Sequence, residues 1–436
     1  MSRQMPLSLC LVAMLFLNAG CRNDNNIAEK NPFEAEMLGL VPGPTTAELN
    51  LTWYSDTNAK PSVRIFDEND KLLKTWQGNS GESSEKKHWH KVTAKELQAD
   101  TQYKYSVSSD GVTWSYKYNY KTPKTNAFRF ASVGDPQLTA GKQDMASAYF
   151  SADQTTLAGW KETVSKISSK HVDFIAGVGD QVNRSFGGDE AEYANFFAPP
   201  PLRNIPYAPA VGNHDRHLPF IYHYNLPNEQ RFDANNPLDV MGNYWYLYNN
   251  TLFVVLNTSA YPNNTADAMP YVERFDKTLR AATHANQGKY RWLIVQHHKS
   301  TASVAQHLSD TDISYYVEAG FEKLMDKHGV DLVLAGHDHV YARSHVMKDG
   351  NRVEDAYNSD DKSFSGGMGT LYLTLTTGSG LKYYEAFKPL SPSILFYAQN
   401  FKPGYALFEV NDNTMDIAVY DVDSDTAIDS FRVSKQ

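Results

Sequence analysis

Five short segments, each closing an apolar run and each rich in metal-binding side chains, constrain this chain more than any other feature. In order they read Gly134-Asp135-Pro136-Gln137, Gly179-Asp180-Gln181, Gly212-Asn213-His214-Asp215, Gln296-His297-His298 and Gly336-His337-Asp338-His339. The apolar runs before them span 128–133, 172–178, 207–211, 292–295 and 330–335. Runs of that length, separated by helical stretches, predict parallel strands of an α/β domain. Open α/β sheets bind ligands at the carboxyl ends of their strands. The five ends therefore converge Asp, Gln, Asp, Asn and His side chains on one place, a mixture that suits a pair of divalent cations.

The chain has 436 residues, enough for more than one domain. Its 50 acidic against 41 basic residues give a net charge of −9, with no Lys/Arg run. That balance argues against non-specific nucleic-acid binding. Nothing in the sequence points to a protein partner.

Residues 1–20 read as an export signal. Arg3 is the basic start, and 7–17 is an apolar core too short to span a bilayer. Ala19-Gly20 precede Cys21. This arrangement resembles a bacterial lipoprotein signal, with Cys21 acylated and the chain anchored to the membrane at the periplasmic or outer-membrane face. Ordinary secretion with cleavage near Ala19, giving a soluble periplasmic or secreted protein, is the alternative. Of the two cysteines, Cys10 lies in the signal, so neither a disulfide nor thiol chemistry follows. The polar stretch 21–33 reads as a flexible tether.

Residues 34–123 alternate in short segments (47–54, 62–67, 71–77, 89–92, 102–108, 115–121) separated by turns, which predicts a β-sandwich. The run 101–107 resembles the end of a fibronectin type III domain. A passive spacer and a substrate- or glycan-recruiting module are both open for this part. From 126 to 436, helices are expected at 153–170, 190–197, 270–285 and 313–328. A hairpin is expected over 244–258 around Asn249-Asn250, and a late block of strands at 370–377, 405–410, 416–421 and 428–433. The aromatic, irregular stretches 216–240, 259–270 and 383–403 are expected to rim a pocket and set specificity.

The five blocks, in this order, resemble the calcineurin-like metallophosphoesterase superfamily. The run Gly336-His337-Asp338-His339-Val340-Tyr341-Ala342-Arg343 resembles its purple acid phosphatase branch. The resemblance covers roughly residues 30–436. It implies an N-terminal fibronectin type III-like β-sandwich followed by a β-sandwich flanked by helices, an α/β (α+β) architecture. It also implies two divalent metal ions, with Mn, Mg, Fe and Zn all open. By this resemblance Asp180 bridges the metals, Asp135 and His339 hold the first, and Asn213, His297 and His337 hold the second. His214 faces the leaving group, and Asn213 also lies against substrate.

Two departures stand out. Asn183 occupies the place of the branch's metal-bound Tyr, and Gln137 the place where the wider superfamily often has His. Gln137 can still ligate through its amide oxygen, which favours harder ions such as Mn²⁺ or Mg²⁺.

The residues support that chemistry. A carboxylate such as Asp180 can give one oxygen to each of two cations. Such a pair, about 4 Å apart, clamps a phosphoryl group and lowers the pKa of a shared water. His337 and His339 alternate, so on a strand they share a face, opposite Asp338. His214 can protonate a leaving oxygen. Asp215 either accepts from its other ring nitrogen or caps the next turn. Of the adjacent histidines, family spacing favours His297 as ligand, leaving His298 to touch substrate or pack. Arg184, Arg216 and Arg343 are candidate phosphate contacts.

The expected function is an exported phosphoric ester hydrolase acting on phosphate monoesters of small molecules or glycans. Phosphodiester or nucleotide hydrolysis at the same site, and a surface-anchored protein that binds metal or phosphate without turnover, are the alternatives. Since Asn183 offers no phenolate, the purified protein should be colourless. An absorption spectrum with a visible band lost on reduction would contradict this.

Overall fold

The computed structural model describes residues 32–139, 156–183, 190–215, 218–232, 241–380 and 382–435. Cys21, Arg184 and Arg216, with the export signal and most of the tether, lie outside these residues.

Residues 36–121 form two facing four-stranded antiparallel sheets. Alternate residues meet between them: Leu49, Leu51 and Trp53 from one sheet, Val63, Ile65, Tyr103, Tyr105 and Val107 from the other. Two strands, Glu36–Pro42 and Asn79–Glu82, were not visible in the sequence pattern. The first is buried on both sides, so it does not alternate. Leu38 and Leu40 enter the sandwich core, whereas Met37 and Val41 pack into the core of the second half of the chain.

The second half places the five apolar runs in two facing sheets, the helix-flanked β-sandwich that the resemblance implies. β1 (Ala127–Val133), β2 (Phe174–Gly177) and β3 (Tyr207–Pro209) run parallel in an eight-stranded sheet. β4 (Trp292–Lys299) and β5 (Leu332–Gly336) run parallel in a seven-stranded sheet. The late strands extend the first sheet: Gly404–Asn411 pairs antiparallel with β1, and Thr414–Asp421 and Ala427–Ser434 follow, each antiparallel to the strand before it. The sheets face each other across Phe130, Phe174, Phe253, Ile294, Leu334 and Phe408. Helix Thr156–Ser169 covers the outer face of the first sheet with Trp160, Val164 and Ile167. Helices Thr265–Ala285, Thr311–Glu318 and Phe321–His328 cover the second. The helix expected at 313–328 is thus two, broken at Gly320, whose φ of 100° is open to glycine. The helix expected from 270 starts earlier, where Asn264 caps it by accepting from the Asp267 amide at 3.0 Å.

The two halves are not joined only by a linker. Tyr54 stacks on the buried His223, with ring centroids 4.6 Å apart, and His223 stacks on Tyr193 at 4.1 Å. Tyr105 donates to the Arg203 carbonyl at 2.6 Å, and Asn50 to that of Asn225 at 2.8 Å.

Arg343 is not a phosphate contact. Beyond His339 the chain enters strand Tyr341–Ser344, whose odd positions point between the sheets. There the guanidinium binds Asp429 at 2.8 and 3.2 Å, Tyr341 donates to the same carboxylate at 2.7 Å, and Phe364, Phe396 and Phe431 surround the pair. Removing one partner of a buried pair strands a charge and costs about 3–5 kcal/mol. Asp429→Ala should lower denaturant stability by that amount and leave bound metal per folded chain unchanged; metal loss in the folded variant would return Arg343 to the site.

Candidate metal centre

The carboxyl ends of β1, β2, β4 and β5, with the loop after β3, meet at one edge of the two sheets. Backbone geometry makes this possible. Asp135, Gln137, Asp180, His337 and His339 all have positive φ, at 48°, 43°, 51°, 73° and 47°. Such conformations turn the chain sharply at each strand end, and they cluster at functional sites. Two glycines of the blocks are needed for close approach. A Cβ on Gly212 would lie 2.0 Å from Asp180 Oδ1, and one on Gly336 2.4 Å from Asp135 Oδ2.

Asp135 and Asp180 are buried. Asp135 accepts the His337 amide at 3.1 and 3.0 Å through its two oxygens, and its Oδ1 lies 3.4 Å from His339 Nε2. His339 is oriented by Nδ1, which donates to the Lys382 carbonyl at 2.7 Å. Asp180 Oδ1 accepts the His214 amide at 2.8 Å. Its Oδ2 lies 3.3 Å from His298 Nε2 and accepts from Gln137 Nε2 at 3.1 Å. His298 Nε2 is also 2.9 Å from Asn213 Oδ1 and 3.1 Å from His337 Nδ1. Two donor groups result: Asp135 with His339, and Asn213, His298 and His337 around Asp180.

The histidine of β4 that enters this cluster is His298, not His297. Strand alternation decides it. Ile294 faces the inter-sheet core, and Gln296 donates across it to the Gly177 and Ala208 carbonyls, so His298 faces the same way. His297 shares the opposite face with Leu293 and Val295 and packs edge-on against Phe321, 5.0 Å between centroids. Family spacing pointed one residue off; the period of two carried the correct signal.

Electrostatics separates the two imidazoles. Burial pulls His297 down to about 3, and the neighbouring His298 charge adds to this. Burial also works against a charged His298, but Asp180 and Asp135 outweigh it and raise it to about 9. Burial and His298 hold His337 well below its ordinary value, so it is a neutral imidazole.

Asp215 does not touch the His214 ring. Its carboxylate accepts the amides of Gln181, Val182 and Gly212 at 3.1, 3.2 and 3.0 Å, tying the loop after β3 to the end of β2. His214 is oriented by the main-chain carbonyl of Asn183, which accepts from Nδ1. Its Nε2 then lies on the site side, 3.9 Å from Asp180 Oδ2.

Sequence reasoning missed His307 and Asp310. The His307 ring stacks on His337 at 4.0 Å, and its Nδ1 pairs with Asp310 at 2.7 Å. Asp338, opposite the two site histidines, accepts the Ala305 and His307 amides at 2.8 Å each and so fixes this loop. No sequence pattern marks the loop, because that register arises only when it folds over β5.

The donors fit cations. Two imidazole nitrogens 3.1 Å apart, next to a carboxylate oxygen and an amide oxygen, are the ligand types of a transition-metal site. The buried Gln137 Oε1 accepts no hydrogen bond among the described residues. Asp135, Gln137 and His339 would hold one ion, Asn213, His298 and His337 the other, with Asp180 shared.

Residues 128–341 match the calcineurin-like phosphoesterase family, and residues 37–122 the N-terminal domain of purple acid phosphatases. Among relatives, "Probable inactive purple acid phosphatase 27" of Arabidopsis thaliana is 21% identical, across 94% of this chain and 71% of the relative. "Probable inactive purple acid phosphatase 1" of the same plant is 23% identical over the same shares. The purple acid phosphatase PPD1 from yellow lupin seeds superposes with a TM-score of 0.69 at 18% identity, covering 92% of this chain and 74% of that one. PhoD superposes with 0.62 at 13% identity, covering 94% and 92%.

His298→Ala should lower the bound Mn²⁺ per chain, whereas His297→Ala should keep it and lose about 1–3 kcal/mol of stability from its packed site. Metal analysis of both variants checks this; the reverse pattern would put His297 in the centre.

Proposed function

We propose that this chain hydrolyses phosphate monoesters at a dinuclear metal centre, since residues 128–341 match the calcineurin-like phosphoesterase family and residues 37–122 the N-terminal domain of purple acid phosphatases. The observation that carries the proposal is the complete donor set around Asp180 with a non-ligand His214 beside it. Two divalent cations held there would neutralise phosphoryl oxygens and make a bound water nucleophilic at neutral pH.

The chain's own residues supply the rest. Asp180, anchored by the His214 amide, and Asp135, anchored by the His337 amide, are fixed before substrate arrives. The Asn183 carbonyl takes the Nδ1–H of His214 and leaves Nε2–H to protonate the departing alkoxide or phenoxide. A water attacks phosphorus opposite that leaving oxygen, so no covalent phosphoenzyme forms.

The relatives named as inactive motivate a second reading, a protein that binds metal and phosphate without turnover. The oriented His214 favours hydrolysis, since a structural metal site needs no proton donor. Turnover of an aryl phosphate by Mn²⁺-loaded protein separates the two; metal and phosphate binding without turnover would establish the second.

His214→Ala should keep both metals while kcat falls about 10²–10⁴-fold, the usual contribution of a general acid. Aryl phosphates, whose leaving groups need less protonation, should suffer less than alkyl phosphates. An equal loss on both, measured by steady-state kinetics, would remove His214 from that role.

A further inference from the structure

The strand-to-strand segment after Thr377 puts a lysine beside the centre. The Lys382 main-chain carbonyl holds His339 Nδ1 at 2.7 Å, so the backbone here is pinned to a metal-site imidazole. Two residues on, the Tyr384 ring lies 5.4 Å from the His339 ring, and its hydroxyl is 3.0 Å from His307 Nε2. His307 in turn stacks on His337. Tyr384 therefore spans from one metal-ligand group to the other. The Lys382 ammonium rests on the Tyr384 ring face, 4.7 Å from its centroid.

Its charge is not consumed locally. Lys299, a buried ammonium near the same site, is paired with the Asp312 carboxylate. Lys382 makes no ion pair with a carboxylate among the described residues. Burial lowers its pKa, and the carboxylates that oppose the drop are Asp180, Asp135 and Asp338, all three of the metal-site region. The ammonium is thus held on the ring that spans the two ligand groups, and the carboxylates of the site act on it.

A phosphate monoester is mostly a dianion above pH about 6, whereas a diester carries one charge. An extra cation beside the metals favours the substrate with the extra charge. We infer that Lys382 is a substrate-binding residue that contacts a non-bridging phosphoryl oxygen and sets a preference for monoester dianions over diesters. The inference rests on the hydrolase reading given above, and its test separates the two.

The test uses Mn²⁺-loaded full chain, an aryl phosphate monoester and the matching bis-aryl diester. Lys382→Met should raise the monoester KM about tenfold or more, the worth of one charge-assisted contact. Its kcat and bound metal should stay near wild type, and diester kcat/KM should change less than about threefold. Lys382→Arg should restore most of the monoester KM. Equal losses on both esters, or loss of metal, would overturn the inference and make Lys382 a structural counter-charge. If the wild type turns over neither ester, the hydrolase reading fails by itself. Inorganic phosphate binding to the Mn²⁺-loaded protein then decides Lys382: about tenfold weaker binding in Lys382→Met supports it, and unchanged binding overturns it.

Discussion

Asp135 and Asp180 sit on either side of His298, and both are buried, at 0% and 1% exposure. Taking a carboxylate out of water costs several kcal/mol unless charges and hydrogen bonds compensate. Much of the domain is arranged around that cost. Main-chain amides of His337 and His214 donate to the two carboxylates. The two carboxylates in turn raise the pKa of the His298 imidazole between them. Gly336 and Gly212 leave the space that any side chain would fill. These groups come from three chain segments, the loop after β3 and the ends of β4 and β5, which belong to both sheets, so the centre also fixes how the two sheets meet.

The same edge stores strain. Five donor-bearing residues adopt left-handed backbone, a conformation that costs of order 1–3 kcal/mol each for residues other than glycine. The packed cores behind them hold the turns in place. The N-terminal sandwich is part of that support. Met37, Val41 and Tyr54 lie in the same core cluster as Trp160, Ile175 and Val211, which backs β1, β2 and the loop bearing Asn213 and His214. A passive spacer would not contribute to that core.

What the sequence made legible follows from what is local. Apolar runs, turn glycines and the order of the blocks located all five strand ends and most of the donors. The two-sheet sandwich followed from the resemblance; which apolar run joins which sheet was not legible, because an apolar run does not name its partner strand. The choice between His297 and His298 was legible through strand alternation from Ile294 and Gln296, but family spacing outweighed it. The same alternation, continued past His339, would have turned Arg343 into the core. The Asn183 carbonyl takes the role expected of Asp215 towards the His214 ring, because the Asp215 carboxylate is turned to the amides of Gln181, Val182 and Gly212. His307, Asp310 and the main-chain carbonyl of Lys382 reach the site histidines through loops whose placement depends on long-range contacts, for which the sequence carries no periodic signal.

The central claim is that Asp180 is shared by two cations whose other ligands come from separate strand ends. Anomalous-difference density from crystals of the Mn²⁺-loaded protein tests it most directly. Two peaks should flank Asp180, one against Asp135 and His339, the other against Asn213, His298 and His337. A single peak, or density that leaves Asp180 or His298 uncoordinated, would contradict the account.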